Sequence, residues 1–158
     1  GILAHNKCFV EGTLVTLWNG SQKPIEQIDV DDIIMSYDVV TNSVVRDVIT
    51  NVIKPIHDDI IDIKFENDTI NSNTFDHPYY VLDKGWSSYK PELTKLRYGI
   101  DTEQIKVGDV CLYGKNLEEV KIESITENIG ERQTYTLEGT TGVNTFFANG
   151  IVVHNESK

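Results

Sequence analysis

The sequence predicts an all-β protein on three observations. Short apolar runs are rich in β-branched and aromatic residues, turn-forming Asn, Gly, Asp and Pro stand between them, and an internal repeat divides the chain into two similar halves. The strand candidates, in order, are GTLVTLW at 12–18, SVVRDVIT at 43–50, DIIDIKF at 59–65, QTYTLEG at 133–139 and NGIVVH at 149–154. Helical signals are scarce. Single turns are expected at PIEQI (24–28) and DTEQI (101–105), where Pro24 and Asp101 supply start signals.

Those two turns open the repeat. EQIDVDDIIMSY from Glu26 lies over EQIKVGDVCLYG from Glu103 with Glu, Gln, Ile, Val and Asp matched at a constant offset of 77. Further on, FENDTINSNTFDHPYYV and LEGTTGVNTFFANGIVV share NTF at 73–75 and 144–146. Two long copies are too few for a solenoid, so a pseudo-twofold β fold is expected. The stretch LDKGWSSYKPELTKLRYGI at 82–100 carries Gly, Pro and basic residues and reads as a partly mobile excursion between the halves.

Length and composition fit one globular domain: 158 residues, 39% hydrophobic. A formal net charge of −11 argues against a nucleic-acid partner. The acidic clusters DVDD at 29–32 and HDDIID at 57–62 lack the spacing and glycine of a calcium loop and read as solvated faces. No run reaches membrane-span length and no leader opens the chain, so a soluble, monomeric fragment is expected, without a membrane partner and with its compartment set by a host protein. Two cysteines, Cys8 and Cys111, are too few for a disulfide framework and are expected as reduced thiols. Cys111 takes the place of Ile34 in the repeat and reads as core. No cofactor is expected. Cys8, His77 and His154 have zinc-ligand types but no close pairing, so no metal is expected either.

The chemistry-bearing residues are Cys8 ahead of FVEGTLV, Thr74 and His77 three apart in NTFDHPYYV, and the closing NGIVVHN with His154 and Asn155. In this order, with TYTLEG and NTFFANG between them, they resemble an intein or, more widely, a Hint domain, over residues 8–155. Among such domains the sequence is most similar to bacterial intein-like domains of type A. The resemblance implies a horseshoe-like, pseudo-twofold β fold with short helical turns, and protein splicing or self-cleavage in cis rather than turnover. It divides the chain into an N-terminal flank at 1–7, an autoprocessing domain at 8–155 and a C-terminal flank at 156–158.

The residue types fit that chemistry. A thiolate attacks the carbonyl just before it, that of Lys7, through a five-membered ring and forms a thioester. His77 is the expected proton donor to the departing amine, and Thr74 a hydrogen-bonding partner of the scissile peptide. The Asn155 carboxamide closes on its own carbonyl to a succinimide, cutting before Glu156, with His154 polarising that carbonyl. The substrate is then the chain's own flanking polypeptide, and water or an external thiol or amine is the acceptor. Two positions depart from the intein pattern. Glu156 stands where splicing inteins have Cys, Ser or Thr, so the usual branched ester cannot form and Ser157 would need a larger ring. Thr136, in Tyr135-Thr136-Leu137, stands where many inteins carry an acid, and Asn144 stands where a histidine is common. The alternative is an impaired Hint scaffold serving as a binding or spacer module. Finally, GILAHN at 1–6 resembles GIVVHN at 150–155, as the tail of a preceding domain of the same kind would.

Overall fold

In a computed structural model of the chain, residues 7–156 are described; GILAHN, on which the tandem reading rests, Ser157 and Lys158 lie outside them. The first half holds β1 (Phe9–Val10), β2 (Leu14–Thr16), β3 (Gln22–Pro24), a 3-10 turn (Ile25–Gln27), β4 (Ile33–Asp38), β5 (Ser43–Ile53), β6 (Ile56–His57), β7 (Ile60–Phe65), β8 (Ile70–Thr74) and β9 (Tyr79–Val81). Then come β10 (Gly85–Ser88), the helix α1 (Pro91–Tyr98) and β11 (Glu103–Gln104). The second half holds β12 (Val110–Tyr113), β13 (Glu118–Glu127), β14 (Arg132–Gly139), β15 (Thr145–Ala148) and β16 (Ile151–His154). Pairing is almost wholly antiparallel, with β10 and β11 the parallel exception among named strands. The all-β expectation holds.

The repeat is visible as matched hydrogen bonds. Asp32 accepts the Asp29 N–H and the Lys23 ammonium, at 2.9 and 2.8 Å; Asp109 accepts the Lys106 N–H and the Lys84 ammonium, both at 2.9 Å. Each turn needs a left-handed residue, which is Asp31 in one copy (φ 77°) and Gly108 in the other (φ 91°). From these turns spring the hairpins β4–β5 and β12–β13. Each long second strand then pairs with the opposite half, β5 with β14 and β13 with β7, so the two copies exchange strands. Ile34 and Cys111 are both fully buried at the equivalent place, as the alignment predicts. The resulting core joins both halves through Phe9, Ile49, Ile63, Phe65, Tyr79 and Phe146.

One expectation is corrected. The turn foreseen at 101–105 is an extended segment, because Glu103 and Gln104 find backbone partners in Ser87 and Ser88. The excursion at 82–100 meets the rest of the fold through the buried Ser88 and Thr94, the Thr94 hydroxyl donating to the Asp76 carbonyl at 3.0 Å. It contains α1, begun by Pro91 and ended by Gly99 in the left-handed conformation (φ 71°).

One turn decides where the chain's end goes. β15 and β16 are joined by Asn149-Gly150, both at positive φ, a pair that favours two-residue hairpins. A side chain at Gly150 would place Cβ 2.5 Å from the Tyr113 ring. The hairpin carries β16 through the core, between β15, β9 and β12, and delivers His154 and Asn155 to its far end.

Candidate active site

At the first junction Cys8 is fully buried and held from both sides by Thr74. Its N–H donates to Thr74 Oγ1 at 3.1 Å, and its carbonyl accepts the Thr74 N–H at 3.0 Å. β1 wedges between β8 and β14, pairing Phe9 with Asn73 and with Tyr135; one step further along the second register falls the pair Cys8 and Thr136. The Thr136 hydroxyl is buried and unpartnered. Burial pushes the Cys8 thiol well above its ordinary pKa, opposed by the neighbouring Thr134 hydroxyl and reinforced by the negative charge of Asp76.

Thr74 passes the contact on. Its hydroxyl donates to Asp76 Oδ1 at 2.6 Å, and Asp76 Oδ2 accepts from Arg97 Nη1 and from the Tyr98 hydroxyl, each at 2.9 Å. Asp76, Arg97 and Tyr98 are residues that sequence reasoning missed. The signal for Asp76 lay in its place one residue before His77; the signal for the other two lay in the Pro91 and Gly99 punctuation of α1.

His77 lies in the turn after β8, its N–H on the Thr74 carbonyl at 3.2 Å and its ring 4.4 Å from the Phe9 ring. Its Nε2 is 2.6 Å from the His154 carbonyl oxygen. A carbonyl only accepts, so Nε2 carries the proton, and Nδ1 is left buried without a partner. Burial first, and then the Lys7 ammonium, hold its pKa well below the usual histidine value. His77 is therefore neutral near pH 7. Its buried Nδ1 is then the atom open to a proton.

At the second junction His154 Nδ1 approaches the Asn155 carbonyl oxygen at 2.5 Å and by the same reasoning donates to it. The His154 ring packs edge-on against Trp86 at 4.9 Å, and burial lowers its pKa to about 4. Asn155 is fully buried, anchored by its N–H on the Asn144 carbonyl at 2.8 Å. Asn144 is half-buried with φ 60°, so its backbone contributes here rather than its side chain. Both polar atoms of the Asn155 carboxamide are buried without a hydrogen-bond partner. Leaving such groups unpaired costs about 1–3 kcal/mol each, which marks the position as one where stability is not being served.

The expected residues thus converge. Thr74 touches Cys8, His77 touches His154, and Lys7 and Glu156 meet across the two junctions at 3.5 Å. Among the described residues no group of three His, Cys, Asp or Glu side chains is placed to hold a metal ion.

The profile of the AXH family, the ataxin-1 and HBP1 module, matches residues 9–137. HMG box-containing protein 1 of Bos taurus is 57% identical over 37 residues, 23% of this chain and 7% of that protein. Ataxin-1 of Homo sapiens is 26% identical over 110 residues, 66% of this chain and 14% of that protein. The chain therefore spans a small part of these relatives. In structure it is similar to the bacterial intein-like domain from Clostridium thermocellum, with a TM-score of 0.77 at 21% identity over 96% of this chain and all of that one. The DnaB intein from Synechocystis sp. PCC 6803 superposes with a TM-score of 0.76 at 19% identity, over 96% of this chain and 99% of that one. The profile match takes in Thr74, His77 and Thr136 and leaves Cys8, Asn144, His154 and Asn155 outside it. By sequence the chain belongs to the AXH family, and it wears that sequence on the intein-type Hint fold.

Proposed function

We propose that the domain processes its own polypeptide once, cutting at Lys7–Cys8 through a thioester and at Asn155–Glu156 through a succinimide. The observation that carries this reading is the state of Asn155: an unpartnered buried carboxamide beside a carbonyl that already receives a hydrogen bond from His154. Attack by Nδ2 on that carbonyl carbon closes the succinimide and breaks the bond to the Glu156 nitrogen. One Nδ2 proton leaves the ring nitrogen and one is gained by the departing amine; on this reading His154, already donating to the Asn155 carbonyl, stabilises the negative charge that grows on that oxygen as the ring closes.

At the first junction the Cys8 sulfur attacks the Lys7 carbonyl, the Lys7–Cys8 peptide bond breaks and the thiol proton ends on the Cys8 nitrogen. A neutral His77 suits this exchange, since the reaction is proton-neutral and needs a base before it needs an acid. Thr74 fixes the scissile nitrogen, and Asp76, gripped by Arg97 and Tyr98, fixes Thr74. Incubation with and without dithiothreitol, followed by intact mass, tests the reading. Thiol-dependent release of the segment ending at Lys7, lost in Cys8→Ala, is expected; a wild-type chain that stays whole under both conditions contradicts it.

A second reading is favoured by one observation, that the AXH match excludes Cys8 and the His154-Asn155 end. On that reading the Hint fold serves as a binding or spacer module. Indifference of partner binding and of intact mass to Cys8→Ala and Asn155→Ala together would support it.

A further inference from the structure

The side chains that flank the two cuts meet inside the protein. Lys7, the residue before the first cut, is fully buried, with Nζ 3.5 Å from Glu156 Oε2 and 4.2 Å from the centroid of the Tyr98 ring. Glu156, the residue after the second cut, has a side chain only 12% exposed. Its main chain is held too, because its N–H donates to the Leu137 carbonyl at 2.9 Å and it bridges Glu138 in parallel. A lysine is among the residues least often fully buried, and here burial pulls the Lys7 ammonium down and pushes the Glu156 carboxyl up, against the pair's own attraction. Neither position belongs to the domain that would remain after both cuts. Stability of that product therefore gives no reason to bury a charge at either one.

We propose that Lys7 and Glu156 are specificity residues of the processing reaction: the buried pair grips the two flanks to each other and to Tyr98, and so steers the outcome toward joining residue 7 to residue 156. The proposal rests on the autoprocessing reading above. Once the Asn155–Glu156 bond is cut, Glu156 carries a free α-amine, and the pair holds that amine beside the Lys7 thioester instead of letting it diffuse away. The amine nitrogen attacks the Lys7 carbonyl carbon, the carbon–sulfur bond breaks, and the proton shed by the amine goes to the Cys8 thiolate. A thioester becomes a peptide bond, which is downhill, and no further reactant enters. The Glu156 carboxylate is no acyl acceptor in this scheme; its work is to hold its own backbone nitrogen in place. A tethered amine meets the thioester at an effective concentration of about the millimolar order, far above that of a released peptide.

The test is a full chain with reporter segments added before Gly1 and after Lys158, its products resolved by mass into ligated and separately cleaved species. Lys7→Glu and Glu156→Lys are each expected to lower the ratio of ligated to cleaved product about tenfold or more. The double reversal should recover at least part of that loss. Glu156→Gln, which keeps shape and removes charge, should lower the ratio as well and covers the case in which a reversed charge unfolds the chain. In Cys8→Ala, where no thioester forms, the released C-terminal flank should stay bound through gel filtration, and Lys7→Gln should free it. A ratio indifferent to all these changes, a double reversal no better than either single, or a wild type that cleaves at both junctions yet never ligates would overturn the proposal while leaving autoprocessing intact. A wild type that cleaves at neither junction would instead remove the autoprocessing reading itself.

Discussion

At the first junction the scissile amide is held by a chain of hydrogen bonds: the Cys8 amide rests on Thr74, Thr74 on Asp76, and Asp76 on Arg97 and Tyr98. At the second, the Asn155 carboxamide has no partner, while the Asn155 carbonyl accepts a hydrogen bond from His154. The proposed nucleophile of the first junction is a buried thiol pushed toward the protonated form. The second needs no ionisation, because a carboxamide attacks as it stands. Under the proposed function, the contrast means that the two bonds are readied by opposite means, one by tight positioning and the other by a withheld hydrogen bond. It also orders them: Asn155 cyclisation is expected to outrun thioester formation near pH 7.

The largest effects separate the junctions outright. Asn155→Ala should abolish C-terminal cleavage, a loss of at least about 10³-fold, while thiol-dependent N-terminal cleavage continues; Cys8→Ala should do the reverse. Intact mass over time reads both. If either change stopped both cuts, the junctions would be coupled and the contrast would fail.

Next comes the brace behind Thr74. Asp76→Asn keeps the shape but strips the charge facing Arg97, at a cost of about 3 kcal/mol in denaturant unfolding. It should slow N-terminal cleavage about 10- to 100-fold through misplacement of the Cys8 amide, with C-terminal cleavage much less affected. Equal slowing of both cuts would show that Asp76 serves the fold in general.

The histidines predict a pH dependence. His154 titrates at about 4 in the folded chain against 6.5 unfolded. Between those values the unfolded chain binds the extra proton, so stability rises with pH through this window and is fully present above 6.5. At about 1.4 kcal/mol per pH unit, the gap is worth about 3 kcal/mol by pH 4, and His77, shifted the same way, adds to it. Denaturant midpoints measured from pH 7 to pH 4 should fall more steeply than those of His154→Gln. Parallel curves would remove His154 as a buried neutral donor.

The smallest effect concerns Thr136. Its hydroxyl is buried and unpartnered, so Thr136→Val should be neutral or stabilise by about 1 kcal/mol and leave both cleavage rates within about twofold. A marked loss of N-terminal cleavage would mean that this hydroxyl does what the absent acid would have done.

Much of this was legible in the residues. The repeat at offset 77 announced the two matched hairpins because Asp32 and Asp109 must each close the same turn, and that constraint is local in sequence. The strands read at 43–50, 59–65 and 133–139 from β-branched content are found at Ser43–Ile53, Ile60–Phe65 and Arg132–Gly139. α1 was not legible, since only Thr94 of its residues is buried and the apolar periodicity that marks a helix is nearly absent. Its caps were visible, but caps without a stripe are weak. The candidate residues Cys8, Thr74, His77, His154 and Asn155 were named from their order along the chain and the resemblance to inteins, since each alone is an ordinary residue in an ordinary place. The supporting groups were not. Asp76 is one acid among many in the chain, and only folding brings Arg97 and Tyr98, some twenty residues away, onto it. The Lys7–Glu156 contact spans nearly the whole chain and follows from no local rule.

The central claim is that Asn155 is poised to cut its own backbone. The most direct measurement is the intact mass of the Cys8→Ala chain, carrying a C-terminal reporter, followed at neutral pH. The account predicts steady release of the reporter with Glu156 at its new amino terminus, leaving a domain one water lighter than one ending in free Asn155. A chain that remains whole while correctly folded, or a domain that ends in free asparagine from the first time point, would contradict it.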